Sequence, residues 1–231
     1  MSAPKALLLI GSPKGKASAS WAIGNYLLRK LETGGMKTEE MFVSAALRTR
    51  ESRNDMLAAV DAADLVVVSF PLYIDQLPAP LIQAMELIAD HRKAKGVISP
   101  GPDPQAGRLA VIVHCGFPET FQNQAAVDIM RRFAAEAGFV WAGELSMGMG
   151  GAVGGKALEK AGGMVKNVVK ALEVTAVSLT AGGLIPESAT ALAGKPMMAT
   201  WIYLLFANFG MKGLARKNGV RKRIHDRPYA S

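Results

Sequence analysis

The chain has one cysteine, Cys115, in 231 residues. A single thiol excludes an internal disulfide framework, an iron–sulfur cluster and a cysteine-rich zinc site. Histidine is also scarce. His91, His114 and His225 are scattered without the spacing of metal ligands, so no metal site is expected. Two nucleotide motifs fail as well. A P-loop needs four residues between its glycines and Ser or Thr directly after its lysine. Here three residues separate Gly11 from Gly15, and Ala17 follows Lys16. The spaced glycines of the dinucleotide fingerprint are absent from that loop. A second start at Gly148 and Gly150 meets Val153 where the third glycine belongs. Residues 1–5 lead straight into an apolar strand, so no signal peptide is expected and a reducing cytoplasm is the expected location.

What is present is apolar and periodic. Half of the residues are hydrophobic, enough for a sizeable core, and the length suits one α/β domain with embellishments. Short apolar runs over residues 6–10, 65–69, 109–113 and 139–145 read as strands, with a weaker one at 38–43. Helices are expected over 20–31, 53–62, 80–91 and 125–137, followed by a long fifth helix over 158–179. Residues 97–107, with three prolines, read as a surface excursion. Alternating strands and helices imply right-handed crossovers and a doubly wound parallel sheet of five strands.

In such sheets ligands bind outside the carboxyl ends of the strands. Three loops there carry chemistry. The first, residues 11–20, joins a strand to a helix N-terminus, whose free N–H groups suit a phosphate, and it adds Ser12, Ser18, Ser20, Lys14 and Lys16. The plain alternative is a serine-capped helix after a turn. The second, residues 70–80, is aromatic and stiffened by Pro71, Pro78 and Pro80, a wall suited to a flat ring or simply a rigid connection. The third, residues 114–119, places Gly116 where a backbone can approach a ligand. Cys115 has no activating base in sequence and reads as a buried, inert thiol. His114 at an apolar strand end reads as structural. The glycine-rich segment 148–155 reads as a linker or a border of the site.

Gly11-Ser12-Pro13-Lys14 with Ser18 and Ser20, Pro71-Leu72-Tyr73 with Leu77-Pro78, and Cys115-Gly116-Phe117-Pro118-Glu119 together resemble the flavodoxin-like NAD(P)H-dependent FMN reductases and NAD(P)H:quinone oxidoreductases. The resemblance covers residues 5–180. It implies a flavodoxin-like fold and hydride transfer from NADPH or NADH through bound FMN to a small electron acceptor, with no catalytic side chain. It also implies that Ser12, Ser18 and Ser20, with the amides of Ala19 and Trp21, hold the phosphate, with Lys14 adding charge where relatives carry arginine. Pro71, Leu72, Tyr73 and Ile74 would line the flavin ring, Asp75 its edge, and Gly116, Phe117 and Glu119 its other side. The rival readings are an electron carrier without nicotinamide activity and a flavin-free binding protein recruited to membranes.

Residues 184–231 exceed that domain, which is expected to end at 183. Residues 196–209 are apolar nearly all round but shorter than the roughly 20 needed to span a bilayer. Beyond them, Lys212, Arg216, Lys217, Arg221, Lys222, Arg223 and Arg227 face one acid, Asp226. The chain's formal charge is +8, and this tail holds most of it. Burial against the domain or in a homodimer is expected, with contact at a membrane surface as the alternative. Nucleic acid is not an expected partner.

Overall fold

The computed structural model describes residues 3–96, 107–155 and 157–227. Most of the expected proline-rich excursion, residues 97–106, lies outside them. The strands are β1 (Lys5–Ile10), β2 (Lys37–Phe42), β3 (Leu65–Pro71), β4 (Arg108–His114) and β5 (Val140–Met147). The helices are α1 (Ala19–Thr33), α2 (Val43–Ala46), α3 (Arg50–Asp61), α4 (Ala79–Ala94), α5 (Gln124–Glu136), α6 (Lys166–Thr180), α7 (Glu187–Ala193) and α8 (Thr200–Lys217). All five strands are parallel, in the order β2-β1-β3-β4-β5. That is the flavodoxin-like arrangement, whose switch point lies between β1 and β3.

Side-chain alternation along the strands divides the core in two. Ala6, Leu8 and Ile10 of β1 pack with α1 and α6 on one face of the sheet. Leu7 and Leu9 pack with α3, α4 and α5 on the other. Strands β3 and β4 are buried on both faces, which is why they read as unbroken apolar runs. Helix α1 comes close to the sheet through Gly24. A Cβ there would stand 2.9 Å from a Leu8 methyl and 3.1 Å from Ser69 Cβ.

Two features differ from expectation. Residues 158–179 form two segments rather than one helix: a 3-10 stretch, Leu158–Val165, precedes α6. Gly162, at φ +72°, breaks the path. The main compact unit also runs past residue 183, as Met1–Met197. The chain after α6 returns along edge strand β5, where the Ile185 amide donates to the Ala142 carbonyl at 2.7 Å. Thr190 Oγ of α7 donates to the Glu144 carbonyl at 3.1 Å. Residues 185–193 thereby cover a sheet edge that would otherwise offer unpaired groups.

The second unit, Met198–Ser231, holds α8 and a short turn at Arg221–Arg223. On α8, Trp201, Leu205, Phe206, Phe209 and Met211 are exposed by between 62% and 78%. Among the described residues no helix is long and apolar enough to cross a membrane.

Candidate functional site

The carboxyl ends of β1, β3 and β4 are tied together by one buried polar chain. The Gly11 amide donates to the Ser69 carbonyl at 2.9 Å, and Ser69 Oγ donates to the Ser20 carbonyl at 2.8 Å. Ser20 Oγ pairs with His114 Nε2 at 2.9 Å, and the His114 carbonyl accepts from the Leu72 amide at 2.8 Å. The N-terminus of α1 and the start of the second loop are thus fixed to the same histidine. Burial pushes the His114 pKa down to about 4, so its ring is neutral at physiological pH. It anchors the site and gives a phosphate no positive charge.

The first loop is preorganised by its own serines. Ser18 caps α1: its Oγ accepts from the Trp21 amide at 3.1 Å and donates to the Gly15 carbonyl at 2.6 Å. Ser12 is buried, and its Oγ accepts from the Lys14 amide at 3.4 Å. Of the three hydroxyls expected at the phosphate, that of Ser20 therefore points inward to His114, and that of Ser18 already serves as the cap. The first-turn amides of Ala19 and Ser20 have no acceptor inside the helix, and Lys14 and Lys16 are exposed beside them. The Trp21 indole turns away and donates to Glu40 at 3.1 Å.

The second loop is a tight hairpin on the buried end of β3. The Tyr73 amide donates to the Gln76 carbonyl at 2.9 Å, and the Gln76 amide returns to the Tyr73 carbonyl at 3.1 Å. Its two tip residues, Ile74 and Asp75, have φ of +49° and +58°. Asn and Gly favour that conformation, whereas a β-branched residue resists it. The strained tip is also the most exposed part of the edge: Ile74 is 97% accessible, with Tyr73 and Asp75 exposed beside it. Pro71 is buried and Leu72 half-buried, so these two support the wall. Replacing Ile74 and Asp75 by Asn and Gly is expected to stabilise the protein by about 1–2 kcal/mol. Urea unfolding measures it, and no gain would mean that the tip is unstrained.

The third loop exposes Gly116, Phe117 and Glu119. Cys115 is buried, and burial raises its thiol pKa, so it is inert as a nucleophile at neutral pH. The glycine-rich segment after β5 laces the loops together. A Cβ at Gly148 would lie 2.3 Å from the Pro118 carbonyl oxygen, and one at Gly150 would lie 2.3 Å from His114 Nδ1. At Gly155 it would lie 2.4 Å from the Ala17 carbonyl carbon and oxygen. Met149, buried at φ +57°, donates its amide to the Phe117 carbonyl at 2.7 Å. In sequence this segment reads as no more than a linker or a border of the site, because its glycines are explained by partners distant in the chain.

These residues fit a phosphomonoester carrying a flat ring. Free first-turn amides, a buried serine and two lysines lie at one end of the edge, and exposed Tyr73, Ile74 and Phe117 lie at the other. No protein-family model and no curated protein matches the sequence. Solved structures do match in shape. The chain is similar to an azoreductase from Bacillus anthracis str. Sterne, at 14% identity and a TM-score of 0.50, over 74% of this chain and 99% of that one. It is also similar to an FMN-dependent NADH-azoreductase from Bacillus anthracis str. Ames Ancestor, solved in complex with FMN, at 18% identity and a TM-score of 0.50, over 76% and 99%. At such identities the likeness is one of fold, and the fold it supports is the flavodoxin-like sheet described above.

Proposed function

We propose that the protein is an FMN-dependent oxidoreductase that passes a hydride from NADPH or NADH to a small acceptor such as a flavin or a quinone. One observation carries this reading: a helix N-terminus flanked by lysines and an exposed aromatic rim are tied to the same buried His114. When bound, FMN supplies the hydride chemistry itself. The chain's residues bind and orient it. The amides of Ala19 and Ser20, the Ser12 hydroxyl and the Lys14 ammonium would hold the phosphate, and the helix dipole favours its charge. Tyr73, Ile74 and Phe117 would cover the ring and exclude water, with Asp75 and Glu119 at its edges. The hairpin strain is then the cost of presenting Ile74 and Asp75 to the ring. Hydride transfer to a flavin needs no side-chain acid or base, so an inert Cys115 and a neutral His114 are compatible with it.

The test is a visible spectrum and two titrations. The protein should bind FMN at least about tenfold more tightly than riboflavin, because charge-assisted hydrogen bonds to the phosphate contribute about 1.5–3 kcal/mol each. Anaerobic NADPH or NADH should bleach the bound flavin. Equal affinity for the two flavins would refute the phosphate assignment. Tight FMN binding without bleaching by either nicotinamide would favour an electron carrier.

A further inference from the structure

Helix α8 leaves Trp201, Leu204, Leu205, Phe206, Phe209, Met211 and Leu214 at least 48% exposed. A contiguous exposed apolar surface of this kind marks an interaction site. The cations follow it along the axis: seven Lys and Arg lie between residues 212 and 227, against Asp226 alone. That acid is already engaged by Arg223 Nε at 2.9 Å. The segment thus presents apolar depth and a net charge of +6 (seven minus one) that it does not neutralise itself.

We propose that α8 and the basic segment after it form an interfacial anchor that lies on anionic lipid. A partner must meet both halves of the surface. A second copy would cover the apolar side chains but bring no acid to neutralise either +6 segment. A nucleic acid would match the charge and leave the apolar side chains in water. An anionic bilayer surface matches both. The dimensions agree. From Trp201 to Met211 the helix rises about 15 Å, half of a hydrocarbon core of about 30 Å. Such a segment is too short to cross and lies along the surface of one leaflet. Trp201 and Tyr203 at its start suit the headgroup boundary, as do the cations from Lys212 onward at its end. Both ends therefore sit at the same interface, and Leu205 and Phe209, which share a face with Trp201 at four-residue spacing, dip between them.

The test uses the full chain, with or without flavin, so its outcome is independent of the oxidoreductase reading. Vesicles of phosphatidylcholine doped with phosphatidylglycerol should sediment the protein, pure phosphatidylcholine far less, and salt should weaken the binding. Trp201 emission should shift to the blue and be quenched by brominated lipid. W201F should lose that signal yet still sediment. R221E/K222E/R223E should lower vesicle affinity at least about tenfold. F206S/F209S should lower it comparably, while unfolding of the Met1–Met197 unit stays unchanged. Failure to sediment with anionic vesicles overturns the proposal. So does equal binding to both lipids that ignores the triple charge reversal, or a dimer in which Trp201 is shielded and vesicles are ignored.

Discussion

Acidification from about pH 7.5 to 4.5 is expected to cost about 2–3 kcal/mol of folding stability through His114 alone. The sign follows from its environment. Burial lowers the folded pKa to about 4, whereas an unfolded histidine titrates at about 6.5. Between these values the unfolded chain binds a proton that the folded chain refuses, so stability falls as the pH falls. The contribution is complete above about pH 6.5, and the loss levels off below about 4, where the folded state also protonates. Carboxylates act lower. Glu173 is held down by the hydrogen bond from Lys30, so its contribution is present above the ordinary carboxylate range and fades as the pH drops through its own lowered value. Urea unfolding at the two pH values measures the loss. His114→Gln keeps a hydrogen-bonding group toward Ser20 but does not titrate, so its stability should be flatter over the same window. An unchanged acid slope in that variant would place the titrating group elsewhere. The protonated ring would also lack the lone pair at Nε2, so a Ser20 hydroxyl that donates there at neutral pH must turn. The N-terminus of α1 and the carboxyl end of β4 should therefore loosen together.

Residues whose environment is set by near neighbours were legible in the sequence. The runs at 65–68 and 109–113 announced strands covered on both faces, and both are fully buried. On α5 the stripe of Ala125, Ile129, Phe133 and Ala137, with Ala126, Met130 and Ala134 beside it, marked the helix; the buried face is the Ala126, Met130, Phe133 and Ala134 side, and Ala125 is exposed. Each strand, and each helix expected before the glycine-rich segment, lies within three residues of its expected bounds. Orientation within a loop was less legible. Ser12, Ser18 and Ser20 look alike as donors, yet only geometry separates cap, ligand candidate and interior partner. For Ser20 a clue existed. It lies three and seven residues before Ile23 and Leu27, on the buried stripe of α1, and so points inward with them. The strain at Ile74 had no such clue, since a β-branched residue resists a positive φ, whereas Asp75 is of a type that tolerates one. The apolar stretch at 196–209 was legible as an element needing a partner, and α8 carries most of it.

The glycine-rich segment shows why long-range contacts escape such reading, and it supplies a sharp test of the site. Gly155→Ala is expected to cost about 1–3 kcal/mol, because the new methyl would meet backbone rather than a yielding side chain. Its neighbours would be the Ala17 carbonyl carbon and oxygen at 2.4 Å and Ala17 Cα at 2.5 Å. Either this segment or the loop before α1 must give way. Gly163→Ala is the control, since a Cβ there meets nothing within 4 Å. For a chain of this size each kcal/mol moves Tm by about 2–4 °C. Gly155→Ala should therefore melt several degrees below the parent, and Gly163→Ala close to it. The same displacement should reach the proposed phosphate cradle, because Ala17 directly precedes the Ser18 cap. FMN affinity should then fall by about tenfold or more, while riboflavin, which lacks the phosphate, should bind nearly as before. A loss shared by both flavins would mean that the segment borders the ring and not the phosphate. Equal behaviour of the two glycine variants would mean that the segment does not press on Ala17.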